Sequence, residues 1–295
     1  MKNITAIGEI IFDIYPGLKS LGGAPLNFIF HINKLTDRGT FISRVGDDNM
    51  GVEALEFLGR NNILLSHIQI DNKHETGTAL ANLDSRKIPH WELPSGKAYD
   101  FIDIPEGKEI IIKNSNCFYF GTLAQRMGKS RSAIQAFFGR NMKYFFDINI
   151  RQNYYTKDII KSSLQTADVL KANEYEISLL HKMFLSGKFD LSVSVSALMQ
   201  KFNIELIAIT QGDKGAWLFR DKESDYYRTG VDKIVDTTGA GDAYAAILCL
   251  GYLNNIEQHQ INKLSSEFAA EIVKIQGAIP KDDLIYEKFR SLINT

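Results

Sequence analysis

The residues best suited to chemistry form one unbroken run, Asp236-Thr237-Thr238-Gly239-Ala240-Gly241-Asp242. It follows a short β-like segment, residues 232–235, and precedes an apolar run, residues 243–253, that reads as a buried helix. The Gly-Ala-Gly turn therefore falls at a helix N-terminus. Backbone N–H groups there lack intrahelical partners, and the positive end of the helix dipole adds to them. Such a turn holds an anion, including the charge that develops on a transferred phosphoryl group. Asp242 lies in the first turn, beside that hole, where a carboxylate could take a proton from an attacking hydroxyl. A plain helix cap with a tight glycine turn is the alternative for a bare Gly-x-Gly-Asp; the full seven-residue string is more specific.

A second constellation lies near the N-terminus. Gly22-Gly23-Ala24-Pro25-Leu26-Asn27 joins paired glycines, which admit a ligand close to the backbone, to a proline suited to a first helical turn. Asn27 can donate and accept, as recognition of sugar hydroxyls requires, and Asp13, read at the end of the first strand, can accept two hydroxyl hydrogens. A βα turn with a polar cap would look the same. Two other glycine patterns fail. Gly121 to Ser130 ends in Gly128-Lys129-Ser130, but a phosphate-binding P-loop needs a glycine at position 123, which is Leu. Lys129 then reads as a solvated charge at a helix start. Gly239-x-Gly241 is no dinucleotide fingerprint either, because Tyr244 takes the third glycine position.

The bulk numbers exclude more than they identify. A net charge of -1 with 23% charged residues gives no footprint for nucleic acid or an anionic membrane. Cys117 and Cys249 both sit in apolar runs and read as core residues, not as a disulfide or metal pair. Glu9 and Asp13 interrupt the apolar N-terminus, so it is no signal-peptide core, and no apolar run reaches the ~20 residues that span a bilayer. The expectation is a cytoplasmic protein. His31, His67, His74 and His90 show no ligand spacing.

Positioning these residues requires a scaffold, and the chain alternates strand-like and helix-like runs. Strands are expected at residues 4–14, 40–45, 143–149, 168–171 and 206–210, and helices at 24–35, 50–61, 156–166 and 174–183. The alternation predicts an α/β fold with a mostly parallel sheet and helices on both faces. Residues 75–104 break the rhythm with short β-like runs at 78–83, 88–93 and 99–104, punctuated by Pro89, Pro94 and Gly96. They form either a lid sheet over a site or a surface meander.

Together and in order, these pieces resemble the ribokinase / phosphofructokinase-B family of carbohydrate kinases over nearly the whole chain. Gly8-Glu9 with Asp13 is similar to the family's first strand, and Gly22-Gly23…Asn27 to its double-glycine sugar motif. Gly46-Asp47-Asp48-x-x-Gly51, Asp147-x-Asn149-x-Arg151, Asn173-x-x-Glu176 and Thr210-x-Gly212-x-x-Gly215 follow in the family's order, and Asp236 to Asp242 is its C-terminal signature. The resemblance implies a three-layer α/β/α ribokinase-like fold, one kinase domain over 1–295 with residues 75–104 inserted as a small β lid. It implies Asp242 as catalytic base, Gly239, Ala240 and Gly241 as anion hole, and Arg151 as a cation toward substrate or phosphate. Asp13, Gly22, Gly23 and Asn27 would hold the sugar. Lys171, Asn173, Thr210, Gly212 and Gly215 would serve the nucleotide. Asn173 and Glu176 would organise Mg²⁺ through water, and Asp236 and Thr238 a monovalent cation such as K⁺, with a far wall near Gly277-Ala278. ATP and Mg²⁺ are the implied cofactors, and a homodimer through the lid is implied by analogy.

The Gly-Gly-Ala-Pro-x-Asn version of the sugar motif looks most like the fructokinase branch. The expected reaction is phosphorylation of D-fructose on its primary 6-hydroxyl, with ribose or 2-keto-3-deoxygluconate as other acceptors. A catalytically silent sugar-binding protein on the same scaffold is the competing class; retention of Asp242, Arg151 and Glu176 argues against it. Trp91 and Tyr99 in the lid could stack on sugar or pack lid strands together. Lys87 and Lys97 carry no assignment.

Overall fold

The computed structural model describes residues 2–83, 89–231 and 233–293. Its strands, in chain order, are β1 Ile4–Ile7, β2 Ile11–Tyr15, β3 Leu18–Gly22, β4 Gly39–Gly46, β5 Ile68–Asp71, β6 Gly77–Leu83, β7 Pro89–Glu92, β8 Cys117–Gly121, β9 Lys143–Asp147, β10 Val169–Asn173, β11 Leu206–Thr210, β12 Ala216–Arg220 and β13 Glu223–Tyr227. They form a nine-stranded sheet ordered β13-β12-β11-β10-β9-β8-β1-β4-β5 and a four-stranded sheet ordered β3-β2-β6-β7. From β5 to β11 the large sheet is parallel; β12 and β13 close it as an antiparallel hairpin.

Strands buried on both faces carry apolar residues at every position, and here neighbours alternate between two cores. Cys117 and Tyr119 of β8, Phe145 of β9 and Leu206 of β11 face the helices Ala24–Thr36, Ala240–Leu253 and Gln258–Ile272. Phe118, Phe120, Phe146 and Ile207 face the helices Gly128–Gln135, Lys157–Thr166, Glu174–Phe184 and Leu191–Phe202. The result is the expected three-layer α/β/α arrangement. Helix Ala240–Leu253 is buried from Ala243 onward, so it is apolar all round. Cys117 and Cys249 are both buried and reduced, with sulfurs 3.7 Å apart.

Several expected boundaries move. Residues 4–14 are not one strand: β1 belongs to the large sheet and β2 to the small one, with Gly8-Glu9-Ile10 crossing between them. Asp13 therefore sits inside β2, paired with Ser20 and Ala79, and not at the end of the first strand. The small sheet takes half its strands from residues 11–22, so it extends beyond the 75–104 insertion. Residues 99–104 are not a strand. The segment Ala98–Phe101 is a 3₁₀ turn, because Ser130 Oγ accepts the Ile102 N–H at 2.7 Å and donates to Tyr99 O at 2.7 Å. Residues 233–235 form no strand either; Val235 N–H bonds Val273 O instead. Asp232, Lys87 and Ile88 lie outside the described residues. Gly46-Asp47-Asp48 proves to be a corner: Asp48 caps the helix Asn49–Arg60 through Gly51 N–H and also holds Thr76 N–H and Oγ1, each at 2.8 Å.

Candidate active site

The site lies at the C-terminal ends of the parallel strands, where open α/β sheets place their ligands. In β9 and β10, Asp147 and Lys171 are register partners. Lys171 Nζ donates to both Asp147 oxygens, at 3.0 and 2.8 Å, and Tyr119 Oη donates to Oδ2 at 3.0 Å. Lys171 is 7% and Asp147 1% exposed. Burial alone would pull the lysine pKa down, but Asp147, Asp242 and Glu176 outweigh it, so the ammonium stays charged. A Cβ on Gly241 would come within 3.2 Å of Lys171 Nζ. The buried cation thus stands directly behind the Gly-Ala-Gly turn.

That turn is shaped by Asp236 and Gly239. Asp236 Oδ1 accepts Thr238 N–H, and Oδ2 accepts Gly277 N–H and Gln276 Nε2, all at 2.9 Å. Gly239 caps the helix in the left-handed region at φ 76°, and a Cβ there would sit 2.2 Å from that of Ala278. Only glycine fits both demands. The next N–H groups, of Gly241 and Asp242, belong to a first turn with no intrahelical acceptors. The Gly-Ala-Gly turn, Lys171 and Asp242 therefore converge on one point.

Asp242 Oδ2 accepts Asn27 Nδ2 at 2.8 Å, joining two motifs 215 residues apart. Burial raises the Asp242 pKa to about 6; Asp147 adds to the rise, while Lys171, the Asn27 hydrogen bond and Arg151 oppose it. Burial likewise raises Asp13 to about 6, opposed by Arg151. A Cβ at Gly22 would lie 3.8 Å from both Asp13 Oδ2 and Asn27 Oδ1, so these groups surround the same glycine. The adjacent Gly23 caps helix Ala24–Thr36, and a Cβ on it would lie 2.5 Å from Glu9 O. Arg151 is exposed, in the loop after β9, and acts on Asp13, Asp242 and Glu9 as a common cation.

A groove of about 730 Å³ runs from the other side of the turn, lined by Thr210, Gly212, Gly215, Ala240, Gly241 and Tyr244. Its size suits a nucleotide-scale ligand. The three expected nucleotide residues on β11 and the following turn do line it. Lys171 and Asn173 do not. Lys171 is turned to Asp147, and Asn173 is the register partner of Thr210 and caps helix Glu174–Phe184 through Glu176 N–H. Glu176 is 4% exposed; its Oε2 accepts Asn173 N–H at 2.8 Å and its Oε1 accepts Ile150 N–H at 2.7 Å. Each oxygen keeps a lone pair, which fits a metal held through water better than a direct ligand. Burial works to raise the Asp236 pKa, but hydrogen bonds from Thr238, Gly277 and Thr237 outweigh it and hold the group below the usual carboxylate range, so a negative charge stands at the base of the turn. Among the described residues no cluster of three or more His, Cys, Asp or Glu could bind a metal unaided.

Sequence reasoning missed two features here. The Lys171–Asp147 pair depends on strand register. Glu9, given no place in the site by its sequence, is 3% exposed with Oε2 unpartnered among the described residues, and burial raises its pKa to about 7. Tyr99 is fully buried in the small core under the four-stranded sheet, while Trp91 is 44% exposed. Lys97 pairs with Glu75 at 2.7 Å and Lys129 with Asp103 at 2.9 Å.

Comparison with known proteins finds chains similar to this one in sequence and in fold. The pfkB family carbohydrate kinase model matches residues 17–283. A sugar kinase of Pyrococcus horikoshii is 26% identical over 317 residues, covering 98% of this chain and 97% of its own. A fructokinase of Klebsiella pneumoniae is 27% identical over 262 residues, covering 84% of this chain and 83% of its own. The Pyrococcus horikoshii sugar kinase solved in complex with ATP superposes with a TM-score of 0.82 at 25% identity, over 98% of this chain and 99% of that one. A double mutant of Vibrio cholerae O395 fructokinase, solved with fructose, ADP and potassium ion, superposes with a TM-score of 0.81 at 22% identity, over 97% and 98% of the two chains. Among the described residues no helix is long and apolar enough to cross a membrane.

Proposed function

The chain belongs to the pfkB family of carbohydrate kinases, and from that premise we propose that it transfers the γ-phosphate of ATP to the primary 6-hydroxyl of D-fructose. That it is an ATP-dependent sugar kinase with a ribokinase-like fold follows from the family and its relatives; the sugar and the individual roles are the proposal. One observation carries it: Asn27 of the sugar motif donates to Asp242 of the anion-hole helix. The base and the sugar site are thus one hydrogen-bonded unit.

In the proposed reaction Asp242 takes the proton of the sugar hydroxyl as its oxygen attacks Pγ. The bond from Pγ to the β,γ-bridging oxygen breaks, and ADP leaves with the electron pair. The Gly239-Ala240-Gly241 turn forms the anion hole, aiming the free N–H groups of the first helical turn at the charge on the moving phosphoryl group, reinforced from behind by Lys171. Arg151 neutralises phosphate from the open side. Asp13, Gly22, Gly23 and Asn27 orient the sugar, and the groove at Thr210, Gly212 and Gly215 takes the nucleotide. Mg²⁺, held by the nucleotide phosphates and through water by Asn173 and Glu176, would spread negative charge; K⁺ at Asp236 and Thr238 would stiffen the turn. The small sheet is the lid of one kinase domain. Tyr15, Leu18 and Trp91 expose apolar surface on it, which supports lid-to-lid pairing in a homodimer.

The choice of fructose rests on Gly22-Gly23-Ala24-Pro25-x-Asn27 and on fructokinases among the relatives. The test is ADP release coupled to NADH oxidation with fructose, ribose and 2-keto-3-deoxygluconate, and NMR to identify the phosphorylated hydroxyl. Fructose should give the highest kcat/KM and a 6-phosphate. A tenfold preference for another sugar would replace fructose, and tight sugar binding without turnover on any sugar would sink the kinase assignment itself.

A further inference from the structure

Arg151 reaches the site from an exposed loop, and its side chain is barely held. Among the described residues the contact recorded for its guanidinium is Nη1 to the adjacent Ile150 O at 3.4 Å. What fixes it is the backbone on either side. On the body side, Thr122 Oγ1 donates to Ile148 O at 2.5 Å, and Ile150 N–H donates to Glu176 at 2.7 Å. Asn149 and Gln152, flanking Arg151, both adopt left-handed backbone, φ 37° and 48°. Asn tolerates that region; Gln does so only when its surroundings hold it there.

Those surroundings belong to the lid sheet. Gln152 Nε2 donates to Trp91 O at 2.5 Å, and Tyr154 Oη donates to Leu93 O at 2.8 Å. Trp91 lies in β7 and Leu93 follows it directly. Tyr154 also stacks on Arg126, whose guanidinium lies 4.5 Å from its ring and 4.9 Å from that of Tyr99. Arg126 in turn donates to Leu93 O, Pro94 O and both oxygens of Asp100, at 2.7–3.1 Å. Arg126 is 3% exposed in its side chain and Asp100 is fully buried, so this node is rigid. The chain leaving the lid is thus clamped by Arg126, and the Arg151 loop is tied to the same strand by Gln152 and Tyr154.

We propose that Gln152 and Tyr154 are positioning residues that couple the lid strand Pro89–Glu92 to Arg151, so that the seating of the lid sets the guanidinium over the reacting phosphate. The inference rests on Arg151 acting on phosphate, as proposed above. It differs from a lid that merely excludes water, because it names a connection through which the lid completes the charge balance of the site. Two hydrogen bonds to main-chain carbonyls carry it, so the identity of Trp91 and Leu93 side chains is immaterial.

The test is a mutant cycle on the full-length enzyme with sugar and ATP. Gln152→Ala and Tyr154→Phe are combined and compared in the wild-type and Arg151→Ala backgrounds, with thermal midpoints recorded in parallel. In the wild type the pair should lower kcat about tenfold, with the KM for ATP nearly unchanged. Arg151 lowers the pKa of Asp242, so the acidic limb of kcat/KM should shift to higher pH in the pair as it does in Arg151→Ala. In the Arg151→Ala background the same pair should cost less than about twofold, because the group they position is gone. Equal losses in both backgrounds, or no loss in either, would overturn the coupling. Wild-type activity in Arg151→Ala alone would overturn the Arg151 reading, and the coupling with it. Should Tyr154→Phe lower the midpoint sharply, Gln152→Ala alone carries the cycle, because its side chain is exposed.

Discussion

The two halves of the site are built to different standards. On the phosphate side the buried ion pair and the helix-start carboxylate stand on regular elements inside a large core. Asp147 and Lys171 are register partners in the middle of the nine-stranded sheet, and Asp242 opens a helix buried from Ala243 onward. On the sugar side, Asp13 rides on a five-residue strand of the four-stranded sheet. The core beneath that sheet is Ile11, Ala79, Leu93, Tyr99 and Leu123, with Tyr154 against it. Charge stabilisation needs dipoles that do not reorganise during reaction, so it sits where the backbone is over-determined. Sugar admission needs a part that opens, and elements with few buried contacts supply such motion.

The contrast breaks most visibly at Asp242. Asp242→Asn keeps an oxygen for Asn27 but cannot take a proton, so kcat should fall roughly 10³-fold while the sugar KM stays within about threefold. Coupled ADP release measures both, and a residual rate above a tenth of wild type would place the base elsewhere. Behind it, Lys171→Met should act on folding as well as rate. It strands the Asp147 carboxylate, which is 1% exposed, and breaking a buried pair from one side costs about 3–5 kcal/mol. Urea unfolding with the slope held constant tests this; an unchanged midpoint would mean that Tyr119 alone suffices for Asp147.

The corresponding change in the other half should have the opposite profile. Asp13→Asn should lower kcat/KM for sugar about 10–100-fold, the worth of charge-assisted hydrogen bonds to hydroxyls. Stability should hold or rise, because the carboxylate replaced is one that burial already disfavours. A loss of stability without a KM effect would make Asp13 a strut of the lid. The two carboxylates also share a pH signature. Burial raises both pKa values to about 6, and in the proposed reaction both are needed ionised, one as base and one as acceptor. Below pH 6 the wild-type kcat/KM should therefore fall with a slope approaching two per pH unit, and with a slope of one in Asp13→Asn. A slope of one in both would remove Asp13 from the ionising pair.

The same division explains what the sequence discloses. The anion-hole run is legible because its seven residues are contiguous and act locally. Asp236 ties the turn, Gly239 makes it and Asp242 follows it. Thr210, Gly212 and Gly215 are legible for the same reason. The Lys171–Asp147 pair is not, since 24 residues separate its members and only parallel register unites them. Residues 4–14 read as one strand because both pieces are apolar and buried, so hydrophobicity carries no mark of the change of sheet. The mark is chemical: Gly8, where a Cβ would meet Pro25 at 2.4 Å, followed by a buried glutamate. The small sheet's ends differ from those expected because half of it comes from this crossing, far from the insertion that announces it.

Glu9 stands at that crossing and gives the smallest effect and the most direct reading of how the two halves join. Burial raises its pKa from 4.5 to about 7, with Asp242 adding to the rise and its own backbone N–H, Arg151 and Arg126 opposing it. The folded chain therefore binds more protons than the unfolded one between those values, and Glu9's contribution to stability is lost as pH rises through that window. Gln is nearly the same shape and neutral throughout. The thermal midpoint of Glu9→Gln should match wild type near pH 4.5, gain on it as pH rises, and level off above pH 7 with an advantage of about 5 °C. A gain that does not vary with pH would mean that Oε2 has found a partner and that the junction is an ordinary buried turn. A gain that disappears when fructose is bound would tie the charge on Glu9 to the closed lid, and so to the sugar half of the site.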